Sequence, residues 1–80
     1  MKVKYIGDSF GIEGLTHDRI YECLGVEGEF FRIIDDSGED YLYSINNPAC
    51  MYNGNGKWQI VADMDSGILK SAINKYSNVA

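Results

Sequence analysis

The chain is poor in the residue types that carry most small-protein chemistry: one histidine, two cysteines and one proline in 80 residues. His17 with Cys23 and Cys50 lacks the number and spacing of ligands in a zinc cluster, and two cysteines do not make a disulfide-rich scaffold. No metal and no cofactor is expected. Bases are also scarce. Seven Lys and Arg stand against twelve Asp and Glu, a net charge of −5, and such a field repels phosphate and anionic lipid. Nucleic acid and membrane are therefore disfavoured partners. No apolar run approaches the roughly 20 residues needed to cross a bilayer. Lys2 and Lys4 are followed by Tyr5-Ile6-Gly7-Asp8, where an acid interrupts any leader-like segment, so a cytoplasmic location is expected.

Aromatics are what the chain does have. Six Tyr, three Phe and one Trp bury much area for little rotamer entropy, which gives a chain of this size a core and argues against disorder. Short alternating runs predict strands at Lys2–Ile6, Arg19–Val26, Glu29–Asp35, Glu39–Ile45 and Lys57–Ala62. Glu27-Gly28 and Asp36-Ser37-Gly38 read as tight hairpin turns, the second a type I turn closed by a left-handed glycine. Gly7 to Gly14 reads as a long loop carrying Phe10 and Ile12. Asn46 to Gly56 is a polar connection with one helical turn at Ala49–Tyr52.

The tail has a different period. Ile68, Leu69, Ala72, Ile73 and Tyr76 recur at helical spacing after Asp65 or Ser66 as cap. An isolated helix of this length does not hold in water, so its apolar face must dock. Docking on its own barrel is the default, with a homodimer through the C-terminal helix as the runner-up. The fold class is thus mainly β, a small five-stranded barrel over residues 1–63 followed by an amphipathic helix and tail over residues 64–80.

Three stretches resemble an SH3 domain. Gly14-Leu15-Thr16-His17-Asp18-Arg19-Ile20 is similar to the end of its long first loop and diverging turn. Glu27-Gly28-Glu29-Phe30-Phe31-Arg32-Ile33 resembles its acidic-glycine turn with adjacent aromatics, and Asp36-Ser37-Gly38-Glu39-Asp40-Tyr41-Leu42-Tyr43 resembles its distal hairpin. The resemblance implies a five-stranded SH3-like barrel. Phe30 stands where the peptide groove of that family uses tryptophan, and Ser44-Ile45 where it uses proline, so proline-rich peptide binding is not part of what the resemblance implies. The string from Phe31 to Tyr43 and the opening Lys2 to Gly7 are also similar to small uncharacterised proteins of Gram-positive bacteria and their phages, which implies the same fold in a bacterial cytoplasm.

Candidate chemistry is thin. Asp35, Asp36, Glu39 and Asp40 surround one turn, but strand alternation parts neighbouring side chains and the spacing is not that of a calcium loop. A solvated hairpin tip is expected, with Asp36 bonding its own turn backbone. His17 and Asp18 are adjacent and so do not point at each other, and nothing local activates Cys23 or Cys50. Cys23 reads as a buried small hydrophobe and Cys50 as a loop residue. An enzyme is not expected.

The aromatics Phe10, Phe30, Tyr41, Tyr43, Tyr52 and Trp58 exceed what one side of a tiny core needs. Either some face outward as a binding strip, or the helix and loops cover them. The expected function is a non-catalytic protein-interaction module binding through Phe10, Phe30, Tyr43 and Tyr52. Glu13 and Asp36, with Asp8, would favour a basic partner. A small-barrel nucleic-acid binder and a self-associating accessory protein are the alternatives.

Overall fold

A computed structural model describes residues 1–9 and 14–76. Five strands form in chain order, β1 (Lys2–Gly7), β2 (Ile20–Glu27), β3 (Phe30–Ile34), β4 (Asp40–Ser44) and β5 (Gly56–Ala62). A 3₁₀ turn at Cys50–Tyr52 lies between β4 and β5, and a helix, α1 (Ile68–Tyr76), follows. The strands make one antiparallel sheet of order β4-β3-β2-β1-β5.

β2 organises the sheet. Its first half pairs with β1, as in Val3 opposite Tyr21, and its second half pairs with β3, from Cys23 opposite Ile33 to Glu27 opposite Phe30. A register irregularity between Cys23 and Gly25 separates the halves. Period-two alternation then sends one set of side chains inward. Val3, Tyr5, Tyr21, Cys23, Phe31, Ile33 and Trp58 are buried, joined by Leu15, Ile45, Ala49, Leu69 and Ala72 from outside the regular strands of the sheet. The adjacent Phe30 and Phe31 divide as alternation demands: Phe31 is fully buried, and Phe30 is 42% exposed.

The turns follow local chemistry. The first hairpin turns on Gly28-Glu29, one residue later than the sequence pattern places it, with Gly28 at φ 60°. The second closes with Gly38 N–H donating to the Asp35 carbonyl (3.0 Å) and Asp35 N–H to the Glu39 carbonyl (3.1 Å). Gly38 sits at φ 83°, the left-handed closing residue expected of a three-residue loop. Close approach explains Gly56, where an added Cβ would lie 2.6 Å from the Tyr5 ring.

The helix docks on its own sheet. Leu69 and Ala72 are buried in the common core, while Ile73 and Tyr76 pack partly against it. Its cap is neither Asp65 nor Ser66. The Asp63 carboxylate accepts the backbone N–H groups of Leu69 and Lys70, both at 3.1 Å, and of Met64 at 2.7 Å. Gly67 at φ 71° brings the chain round, so a residue further back reaches the free amides. Desolvation pushes the Asp63 carboxyl up, but these bonds outweigh it and hold it below the ordinary value.

Candidate functional site

A groove of about 720 Å³ runs along β4. Its near wall is the strand itself, with Tyr41, Leu42, Tyr43 and Ser44, continued by Phe30 from β3. Its far wall is Pro48 with Cys50, Met51 and Tyr52, and Gly14, Asp35, Ser37 and Glu39 complete its lining. The space is larger than a chain of this size leads one to expect, because it is an open trough beside a strand and not a cavity within the core. Several of the lining side chains are exposed, among them Met51 at 87%, Tyr52 at 61% and Tyr41 at 50%.

Asn47 holds the far wall. Its Oδ1 accepts the N–H groups of Ala49 (3.1 Å) and Gly56 (3.0 Å), and its Nδ2 donates to the Gly54 carbonyl (3.0 Å). Buried Ala49 seats the 3₁₀ turn on the core, so Met51 and Tyr52 are presented on a fixed base. The near wall is fixed through Tyr43. Its hydroxyl donates to the Asp35 carboxylate (2.6 Å), which also accepts Ser37 N–H (2.9 Å). Desolvation first, and Asp35 second, push the Tyr43 phenol far above its usual range, so it stays a neutral donor.

Of the residues singled out from sequence, Phe30, Tyr43 and Tyr52 meet in this groove. Asp36 does not line it. Its carboxylate accepts Thr16 Oγ1 (2.8 Å), the Arg19 guanidinium (2.8 Å) and the Tyr21 hydroxyl (2.9 Å), and its side chain is only 7% exposed. Desolvation raises the Asp36 carboxyl, but these partners prevail and leave it below the ordinary value. The acid that bonds its own turn backbone is therefore Asp35 and not Asp36 as the sequence pattern predicts, and neither carboxylate is a solvated tip, because both are drawn into hydrogen bonds within the fold. Phe10 and Glu13 lie outside the described residues. Trp58 is core: its ring meets Tyr5, Phe31 and Tyr43 edge-on, and its indole N–H donates to the Ser44 carbonyl at 3.1 Å.

The remaining candidates are separately engaged. Asp40 accepts from Arg32 (2.9 Å), which also binds Glu27, and Glu39 accepts the Tyr41 hydroxyl (3.0 Å). Among the described residues no three His, Cys, Asp or Glu side chains are grouped to hold a metal. His17 Nδ1 accepts the Gly7 N–H (3.1 Å), while Asp18 faces Lys4 at 3.7 Å. Cys23 is buried and free, and desolvation pushes its thiol up; Cys50 is free and exposed on the groove wall. Sequence reasoning missed Asn47, Leu42 and Met51. Asn47 was legible only as one of several breakers, and the other two only as ordinary apolar residues.

The fold and groove together define a small antiparallel β protein with an aromatic trough beside an edge strand. No family model matches the chain, and no curated protein or solved structure matches it.

Proposed function

We propose that the protein is a non-catalytic interaction module that holds a protein partner of basic character in the groove along β4. The observation that carries this reading is the gathering of exposed Phe30, Tyr41, Leu42, Met51 and Tyr52 around one trough. Rigid aromatic anchors beside apolar contacts are the usual basis of binding energy at interfaces. The charged side chains in the lining, Asp35 and Glu39, are both acidic, in keeping with a net charge of −5. Base stacking on the same rings is the runner-up, and that acidic lining opposes a phosphate backbone. The separate partners of His17 and Asp18 support a reading without catalysis.

The same proposal takes the fold as an SH3-like barrel. The strand order, the division of β2 between two neighbours and the Trp58 bond from β5 to the end of β4 support it. The kinship with small Gram-positive and phage proteins, and the cytoplasmic setting, belong to this reading on the strength of the opening strand and the Phe31–Tyr43 string.

Affinity capture with wild type, Phe30→Ala and Tyr52→Ala tests the function. A protein retained by wild type and lost by both variants, each shown folded by circular dichroism, is the expected result. Equal retention by all three moves the site away from the groove. Unfolding of Phe30→Ala alone assigns that ring to the core.

A further inference from the structure

We infer that the segment bound in this groove is an extended strand, apolar in its middle with a basic residue toward each end, that adds to the outward edge of β4 at Leu42. The inference rests on the groove reading above and names its mode and ligand.

The hydrogen-bond parity of β4 carries it. Asp35 N–H bonds the Glu39 carbonyl and Ile45 N–H bonds the Glu29 carbonyl, so these are bonded pairs of the antiparallel ladder. In such a ladder bonded pairs alternate with non-bonded ones. Tyr41, opposite Ile33, and Tyr43, opposite Phe31, therefore turn their main chain toward β3. Asp40, Leu42 and Ser44, opposite Ile34, Arg32 and Phe30, turn theirs outward. Trp58 agrees with this parity, since it takes the outward carbonyl of Ser44. The outward main-chain groups of Leu42 meet no partner among the described residues. β4 is also the terminal strand of the sheet.

The lining fixes where an occupant lies. Tyr41 and Tyr43 project on the Phe31 and Ile33 side of the sheet, whereas Leu42, Ser44 and Phe30 belong to the other side. A groove lined from both faces of a strand follows its edge. An occupant there lies in the plane of the sheet, within reach of the Leu42 main chain and with its side chains falling alternately against the two apolar sets.

Charge selects the chemistry. Exposed Glu39 stands at the hairpin end of the edge and Glu29 at the other, Asp40 being paired with Arg32, and among the described residues no Lys or Arg lines the groove. A segment with a base toward each end and apolar residues between them is complementary. A second copy of this chain is not, because its own β4 carries Asp40 and no base and each copy adds a net charge of −5.

A phage-displayed library of random decapeptides, panned on the immobilised protein, supplies the probe, and fluorescence anisotropy of the strongest selected peptide supplies the affinity. Selected peptides are expected to carry consecutive apolar residues in the middle and Lys or Arg toward each end. Leu42→Pro removes an outward N–H that β3 does not use and should weaken binding roughly tenfold or more, whereas Leu42→Ala keeps that N–H and should cost less. N-methylation along the peptide should abolish binding at every second position, a readout independent of how the proline variant folds. If Tyr52→Ala weakens binding but neither Leu42→Pro nor any N-methyl group does, strand addition is overturned while the groove stands. If none of these matters, both readings fall. Failure to select any peptide overturns the proposal, and light scattering then gives the edge to a second copy if the protein is dimeric.

Discussion

Asp35 and Asp36 are neighbours in sequence and do different work. Asp35, the residue after β3, is buried and closes its own turn while fixing Tyr43. Asp36 points the other way, to Thr16, Arg19 and Tyr21, and ties the Gly14–Tyr21 segment to the hairpin. The folded Asp36 carboxyl titrates below its unfolded value. Its stabilisation is therefore complete above about pH 4 and is lost as pH falls through the folded value. Asp36→Asn should lower stability at neutral pH by about 1–2 kcal/mol and flatten the acid limb of a plot of Tm against pH. An unchanged acid limb would show that the network contributes nothing. The division between Phe30 and Phe31 was legible in the sequence, because alternation is local. The division between Asp35 and Asp36 was not, since it depends on partners some fifteen to twenty residues away.

At the scale of elements, α1 is an apolar stripe held by a borrowed cap. Leu69 is wholly buried against the sheet, so Leu69→Ala should cost about 2–5 kcal/mol, read from urea unfolding. Asp63→Ala should leave the sheet intact and speed amide exchange in the first turn of the helix; unchanged protection there would deny Asp63 the capping role. The stripe was legible from its period, but the cap was not, because the reach from Asp63 depends on the positive φ of Gly67. The 3₁₀ turn was likewise legible after Pro48. That its tyrosine faces β4 across a groove was not, since the placement comes from Asn47 bonding Ala49, Gly54 and Gly56.

At the scale of the molecule, Trp58 is the side chain that links β5 to the end of β4. Trp58→Phe keeps most of the ring contacts and removes the bond to Ser44. It should destabilise by about 1–3 kcal/mol, measured by denaturant titration, with a loss near zero showing that water replaces the indole. The antiparallel order of the central strands followed from two short turns that the residues themselves announce. The pairing of β1 with β5 did not, because no local pattern says which distant strand a chain segment meets. That pairing, Tyr5 opposite Trp58 and Lys2 opposite Ala62, has a consequence in time. The β2–β3–β4 meander can form as soon as it is made, whereas β1 must wait for nearly the whole chain before its second neighbour exists. So wide a separation in sequence predicts folding in the slow, millisecond-to-second regime of non-local β proteins, a rate that stopped-flow fluorescence of Trp58 would read.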